Sequence, residues 1–263
     1  MYNHRFKQNQ FMKKIQLIAV LTILISQQGL AQQKPDPKDT EVWTPVPKQI
    51  SFNPIPEDAI ILFNGNNLNQ WKSVKDGSEA KWTVEGDIFT VKKGTGNIET
   101  KRKFTNYQLH IEWRIPSNIS GNGQARGNSG IFLGSTEGGG DAGYELQLLD
   151  SYKNSTYSNG QAGSIYKQAI PLVNASKKPG EWQTYDVIWT APVFNENGSI
   201  KNPAKVTVLH NGVLIQNNLE LKGETVYIGA PFYKKHGALP IKLQDHGDPS
   251  EPISFRNIWV REL

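Results

Sequence analysis

Short segments in which polar and apolar residues alternate recur along this chain, and they limit its fold more than any other feature. Residues 107–114 (YQLHIEWR) alternate throughout, which is the period of a strand with one buried face. Asn211-Gly212 joins the segments 206–209 and 213–215, and this dipeptide is the strongest short-range signal of a β-hairpin. Helix signals are nearly absent after residue 31. The sequence therefore predicts an all-β fold.

Further segments rich in β-branched and aromatic residues bring the total to about ten or more strands. They lie at 81–84, 88–91, 129–133, 144–149, 183–190 and 255–260. A propeller would show a repeat of about 40 residues, and no such repeat is visible. We therefore expect a concanavalin-A-like jelly roll, a sandwich of two antiparallel sheets.

The first 31 residues have the layout of a signal peptide with an upstream extension. A charged region that begins with Met12-Lys13-Lys14 precedes an apolar run at 15–25, and the segment 29–31 (GLA) supplies small residues. The run is too short to span a bilayer. Residues 32–57 hold six prolines and are predicted to form an extended tether. The catalytic jelly-roll domain is expected at 58–263, in a protein exported to the periplasm or the cell exterior.

Charge and cysteine content exclude several classes of protein. Residues 1–31 hold four of the 29 basic residues and none of the 24 acidic ones, so 25 basic and 24 acidic residues remain. This near balance gives no reason to expect nucleic acid as a partner, and we expect no membrane contact after signal cleavage. The absence of cysteine excludes disulfides and thiolate metal sites.

The segment 144–151 (YELQLLDS) carries the first candidate site. Glu145 and Gln147 share one strand face, and a bulge after Leu148 would bring Asp150 onto it. Jelly-roll glucanases place acid and nucleophile on one strand with the pattern Glu-x-Asp-x-x-Glu. In this chain Gln147 occupies the position of the Asp in that pattern. The segment therefore departs from the pattern of a two-carboxylate glycosidase. A solvated strand face is the alternative interpretation.

A second candidate row lies at 240–247, where Lys242, Gln244 and His246 share one face. A histidine at the end of such a row can be a general base, a metal ligand or a structural hydrogen-bonding group. In the glycine-rich loop at 121–130, Arg126 and Asn128 are candidates for binding hydroxyl or carbonyl groups. Weaker candidates are Tyr166 and Arg256.

Taken in order, these segments resemble one family, the 3-keto-disaccharide hydrolase domain family. The matching segments are 62–65 with Leu68 and Trp71, 128–131, 144–150, 180–186, 211–213, 243–247 and 255–258. They span about residues 58–263. The resemblance implies a concanavalin-A-like jelly roll and cleavage of glycosides already oxidised to a ketone at C3.

For such a substrate, the resemblance implies proton abstraction at C2, elimination of the C1 aglycone and hydration of the enone. We expect Glu145 and His246 to act as base and acid, in either order. Arg126 and Lys242 are then expected to stabilise the enolate, while Asn128, Gln147 and Gln244 orient hydroxyl groups. Tyr166 and Arg256 remain possible binding residues.

A divalent metal ion held by Glu145, Asp150 or His246 is an option, because it would polarise the ketone. A partner oxidoreductase would have to supply the 3-keto sugar. A conventional glycosidase of glucanase type and a non-catalytic, lectin-like sugar-binding module remain as alternatives.

Overall fold

The computed structural model of the chain describes residues 37–51, 54–137 and 140–263. The predicted signal peptide lies outside these residues, as do parts of the predicted tether. The chain divides after Gln49 into two units. The described part of the first unit contains a short 3-10 turn, Pro37–Thr40. The second unit, Ile50–Leu263, contains every strand found in the described residues. No helix in the described ranges is long and apolar enough to cross a membrane.

The described part of the second unit consists of strands, two further 3-10 turns (Gly123–Ala125 and Ser158–Gly160) and loops, without an α-helix. The strands are β1 (Ile60–Phe63), β2 (Trp71–Ser73), β3 (Thr83–Glu85), β4 (Ile88–Thr90), β5 (Ile98–Thr100), β6 (Tyr107–Arg114), β7 (Ser129–Ser135), β8 (Gly143–Leu148), β9 (Trp182–Thr190), β10 (Val193–Phe194), β11 (Ile200–Asn202), β12 (Lys205–His210), β13 (Val213–Glu220), β14 (Lys242–Leu243) and β15 (Ser254–Glu262).

The strands form two main antiparallel sheets and one small hairpin. The eight-stranded sheet has the order β13-β12-β9-β6-β15-β4-β3, and β1 also pairs with β15. The five-stranded sheet has the order β2-β5-β14-β7-β8, and β10 pairs with β11. The predicted all-β jelly-roll sandwich is confirmed. The expected hairpin around Asn211-Gly212 joins β12 to β13, with His210 opposite Val213.

The two sheets enclose an aromatic core. Every second residue of β6 is buried, as the alternation predicted, and these side chains face the five-stranded sheet. Two hydrogen bonds cross the core. The Tyr107 hydroxyl donates to the Leu133 carbonyl at 2.6 Å, and the Tyr185 hydroxyl donates to the Gln147 carbonyl at 3.1 Å. Buried hydroxyls need such partners, and these two fix β7 and β8 against the eight-stranded sheet.

Strands β7 and β8 are buried on both faces. The inner face packs in the core, while loops cover the outer face. The segment 163–166 adds to the free edge of β8, since the Gln147 N–H donates to the Ser164 carbonyl and the Tyr166 N–H donates to the Glu145 carbonyl. The edge of β8 is thereby paired, which satisfies backbone groups that would otherwise be lost from water.

Candidate active site

The outer face of the five-stranded sheet carries most of the polar residues expected at the site. Glu145 on β8, Phe132 on β7 and Lys242 on β14 are direct neighbours in the register, so they share this face. In the next row on the same face, Gln147 lies opposite Gly130. Strand alternation therefore brings Glu145 and Gln147 to one surface, as the sequence predicted.

A cavity of about 540 Å³ opens on this face. The volume is within the roughly 300–1,000 Å³ of small-molecule sites. Six of the predicted site residues contribute to its wall: Asn128, Glu145, Gln147, Tyr166, Gln244 and His246. The two separate segments that sequence reasoning selected, 144–151 and 240–247, thus meet in one cavity.

Glu145 lies deep in the cavity and is only 5 % exposed. A Cβ atom at Gly130 would lie 2.6 Å from its Oε1, so the missing side chain at Gly130 leaves the space that the carboxyl occupies. Burial raises the pKa of Glu145 to about 8, Asp141 adds to the rise, and Lys242 opposes it. Near pH 7 the carboxyl is therefore mostly protonated and can donate a proton.

His246 lies at the cavity wall between a carboxylate and an amide. Its Nδ1 is 3.4 Å from Oδ2 of Asp248, and its Nε2 is 3.2 Å from Nδ2 of Asn128. Burial raises the pKa of Asp248, but hydrogen bonds from His246 and Ser250 lower it overall. An ionised Asp248 favours the tautomer with its proton on Nδ1, so that the Nε2 lone pair accepts from Asn128 Nδ2 and becomes available once a ligand displaces this bond. His246 can then act as a base.

The amides of Asn128 and Gln147 form a chain that ends at His246. Gln147 Nε2 donates to Asn128 Oδ1 at 2.7 Å, and Asn128 Nδ2 donates to the Gln124 carbonyl at 2.8 Å. These bonds fix the Asn128 amide, whose Nδ2 also contacts His246 Nε2. Gln244 differs, because its buried Oε1 has no hydrogen-bond partner among the described residues.

Three tyrosines form an aromatic wall of the cavity: Tyr157, Tyr166 and Tyr227. The hydroxyls of Tyr157 and Tyr166 are 2.6 Å apart. Burial raises the pKa of Tyr166, and the hydrogen bond with Tyr157 raises it further, so the hydroxyl stays protonated. Lys167 Nζ lies 4.0 Å from the Tyr227 ring centre and donates to the Tyr227 carbonyl. Such a wall offers an apolar surface with polar edges to a ligand.

Two arginines expected to bind substrate are engaged elsewhere. Arg126 Nε donates to Asp150 Oδ2 at 2.6 Å, and Arg126 does not line the cavity. Arg256 lies on β15 of the other sheet, where its Nε donates to Glu112 Oε2 at 2.6 Å. Its guanidinium also stacks 4.2 Å from the ring centre of Trp182. Both arginines bind carboxylates of the protein itself, and neither lines the cavity. The expectation that they contact the substrate is therefore not met.

Lys242 lies beneath the cavity and does not line it. Its side chain is fully buried, and its Nζ donates to the carbonyls of Gly140 and Ala142 at 2.9 and 2.6 Å. Burial lowers the pKa of Lys242 to about 8, against the opposing effects of Asp141, Glu99 and Glu145. Lys242 is therefore not placed to contact an enolate directly, in contrast to the expectation from the sequence.

The three residues expected to hold a metal do not meet at one point. Glu145 and His246 line the cavity, whereas Asp150 is buried and bound to Arg126, with its Oδ1 accepting from the Tyr152 N–H. Across 37–51, 54–137 and 140–263, no group of three or more His, Cys, Asp or Glu residues is arranged to hold a metal ion. This set of three does not fit a shared metal site.

Sequence reasoning missed five residues of the cavity wall: Gln124, Asp141, Tyr157, Thr225 and Tyr227. All five lie outside the described strands, so no alternation could assign them a face. Asp141 follows the glycine run 138–140, and no pattern in the sequence marks it as a site residue.

The fold and the cavity define a class of protein. The polar cavity on this jelly-roll sandwich, with its buried carboxyl and aromatic wall, offers hydrogen bonds and a stacking surface suited to a sugar. The model of the 3-keto-alpha-glucoside-1,2-lyase-like domain matches residues 58–261. The chain belongs to this family, as the resemblance predicted.

Three solved structures from Parabacteroides distasonis ATCC 8503 are similar to this chain. One, described as a candidate glycosyl hydrolase, is 52 % identical with a TM-score of 0.82, and the match covers 89 % of this chain and 99 % of that one. Two others with the same description share 20 % and 19 % identity, with TM-scores of 0.56 and 0.54, and show the fold alone. Each covers 78 % of this chain, and 94 % and 99 % of its own. No curated protein matches the chain. At this level the chain is a glycosidase-type, carbohydrate-active enzyme.

Proposed function

We propose that this enzyme cleaves 3-keto-glycosides by elimination followed by hydration. The observation that carries the proposal is the pairing of unlike groups in one cavity: a buried, protonated Glu145 and a His246 backed by Asp248. Elimination needs one base and one acid, and this pair supplies them without a second buried carboxylate.

In the first step His246 removes the proton from C2. The ketone at C3 makes this proton acidic, since the electron pair of the broken C2–H bond delocalises onto the C3 oxygen. Asp248 stabilises the imidazolium that forms, while Asn128 Nδ2, which donates to Nε2 before the reaction, must release this nitrogen as it takes the proton. The structure thus favours one order of the two roles that the sequence left open.

In the second step the enolate electrons form a C1–C2 double bond and the C1–O bond to the aglycone breaks. Glu145 donates its proton to the departing oxygen. Water then adds across the double bond of the enone, with hydroxide joining C1 and a proton joining C2, which gives the free 3-keto sugar. The carboxylate left on Glu145 is suited to accept a proton from this water.

Neutral donors are left to stabilise the enolate oxygen, because Arg126 and Lys242 do not line the cavity. The candidates are the amide of Gln244 and the hydroxyl of Tyr166, which stays protonated. Donors that are already positioned stabilise developing charge without reorganising. A divalent metal would find only Glu145 and His246 of its expected ligands in the cavity, so we assign each step to side chains.

The substrate must arrive already oxidised at C3, because the proposed steps create no ketone. We therefore propose that an oxidoreductase acting on sugars precedes this enzyme. The leader-like sequence at 1–31 places the reaction outside the cytoplasm in this proposal.

The test is product formation from a 3-keto-glucoside and from its unoxidised parent, with and without chelator. We expect cleavage of the keto form only, without chelator sensitivity. Equal cleavage of the parent would instead indicate a conventional glycosidase, for which Asp141 and Glu145 are the two carboxylates in the cavity. Binding of both compounds without product would indicate a sugar-binding module.

Hydrogen exchange at C2 in D₂O separates the two roles. In Glu145→Gln we expect exchange to continue while elimination slows by about 10²–10⁴-fold, and the loss should shrink with a more acidic leaving group. In His246→Ala both exchange and elimination should be lost. Glu112→Gln, a carboxylate on the other sheet, is the matched control. Exchange that is lost in Glu145→Gln but kept in His246→Ala would reverse the assignment.

A further inference from the structure

Residues 140–142, here called the strap, lie against the outer face of the five-stranded sheet beside the cavity. Asp141 lines the 540 Å³ cavity and also a neighbouring cavity of about 460 Å³. The strap thus separates two cavities on the same sheet face, and Asp141 lies at the division.

Several side chains hold the strap in place. The Lys242 ammonium binds the carbonyls on both sides of Asp141. Asn97 Nδ2 donates to the Gly140 carbonyl at 2.9 Å and to Asp141 Oδ1 at 3.2 Å. Asn97 is itself fixed, because its Oδ1 accepts from the Asp245 N–H at 2.8 Å.

The hydrogen-bond donors of these anchoring side chains are occupied by the strap. Both hydrogens of the Asn97 amide and the buried ammonium of Lys242 are engaged, so neither group is free for a ligand. Only the carboxylate that they position faces the cavity. A fully buried lysine is costly to maintain, and here its hydrogen bonds fix the one exposed acid of the cavity wall.

We propose that Asp141 is a specificity-determining residue that restricts the substrate to neutral sugars and rejects sugars that carry a carboxylate. This inference rests on the proposed function and adds the substrate class. Among the described residues, no lysine or arginine lines the cavity. The ammonium groups of Lys167, beside the tyrosine wall, and of Lys242, beneath the cavity, are bound to backbone carbonyls.

A carboxylate on the ligand would therefore meet the negative charge of Asp141, while no lysine or arginine of the described residues lines the cavity to pair with it directly. Like charges in a site of reduced dielectric repel each other strongly, whereas a carboxylate accepts hydrogen bonds from neutral hydroxyls well. Asp141 thus favours the binding of neutral sugars and disfavours the binding of sugars that carry a carboxylate.

The test compares a 3-keto-glucoside with the corresponding 3-keto-glucuronide bearing the same aglycone. We expect wild type to prefer the neutral compound in kcat/KM, and Asp141→Asn to reduce this preference by about tenfold or more. The preference of wild type should also weaken as ionic strength rises, while that of Asp141→Asn should not. Glu112→Gln, which removes a carboxylate of the other sheet, should behave as wild type.

Binding of the unoxidised glucoside and glucuronide, measured by calorimetry, keeps this inference separate from the proposed chemistry. If no 3-keto compound is cleaved but binding still favours the neutral sugar only when Asp141 is present, the chemistry fails and the selectivity stands. If the keto compound is cleaved and Asp141→Asn keeps the wild-type preference, the role of Asp141 is overturned.

Lys242→Met tests the role of the strap, because methionine can still pack on Phe132. We expect a higher KM for the neutral substrate, as in Asp141→Ala, and no further loss in the double variant, since Lys242 acts through Asp141. Additive losses would overturn this role. If Lys242→Met does not fold, Asn97→Ala removes the other anchor and should give the same non-additive result with Asp141→Ala.

Discussion

Replacing Glu145 with glutamine should stabilise the protein at neutral and alkaline pH. Its pKa is raised from 4.5 to about 8 by burial, with a further contribution from Asp141. Between these values the unfolded chain has released the proton while the folded protein still holds it. Since stability falls with pH wherever the folded state binds more protons, Glu145 makes the wild type less stable as pH rises through this window. Glutamine does not titrate, so the variant loses this dependence.

The size of the effect follows from the width of the window. Each pKa unit corresponds to about 1.4 kcal/mol, so the free energy of unfolding of wild type should fall relative to Glu145→Gln by up to about 5 kcal/mol between pH 4.5 and pH 8. Below pH 4.5 the difference between the two should be constant, because both states of wild type are then protonated. The contributions of other groups cancel in this comparison when they are unchanged by the substitution.

Urea unfolding followed by tryptophan fluorescence at pH values from 4 to 9 measures this difference. Glu112→Gln is the control, because Glu112 is expected to change the free energy of unfolding with pH in the opposite direction. Burial raises the pKa of Glu112, but hydrogen bonds from Asn257 and Arg256 lower it overall, so its contribution is present above the ordinary pKa and lost as pH falls. Parallel curves for wild type and Glu145→Gln from pH 4.5 to pH 8 would refute the assignment of a protonated carboxyl.

Two further substitutions test the supports of the cavity. Gly130→Ala places a Cβ about 2.6 Å from Glu145 Oε1, so we expect a lower kcat in the wild-type background and little further loss in Glu145→Gln; equal losses in both would contradict this. Arg126→Met leaves the buried Asp150 without its cation and should lower the free energy of unfolding by about 3 kcal/mol in urea titrations. Asp150→Asn in the same chain should restore part of this loss, and no recovery would show that the charge is not the cause.

The sequence predicted the elements whose residues alternate over several positions. The segment 107–114 became β6 with the same bounds, and alternation in β8 brought Glu145 and Gln147 to one face. Strands β2, β5 and β14 span only two or three residues, which is too short for any period to be visible. Their pairing depends on contacts with distant strands, and these cannot be seen in a local pattern.

The candidate site was predictable only in part, for a similar reason. Residue type and spacing identified Glu145 and His246, but they could not show which charges are already engaged. Arg126 and Lys242 carry the charges that an enolate needs, yet one binds Asp150 and the other binds two carbonyls. Asp141, by contrast, lines the cavity but could not be identified from the sequence, because a loop residue after glycines belongs to no alternating pattern. Its position depends on its anchors, which lie on β14 and next to β5.

The position of Lys242 also explains how a buried carboxyl can stay protonated close to a buried ammonium. A cation in contact with Glu145 would lower its pKa and remove the acid that elimination needs. The carbonyls of Gly140 and Ala142 hold Nζ toward the strap, and the same bonds place the charge of Asp141 where it raises the pKa of Glu145. One set of hydrogen bonds therefore supports both the proton on Glu145 and the selectivity proposed for Asp141. Releasing the strap with Asn97→Ala, which leaves Lys242 in place, should accordingly shift the alkaline limit of activity to lower pH, together with the change in substrate preference.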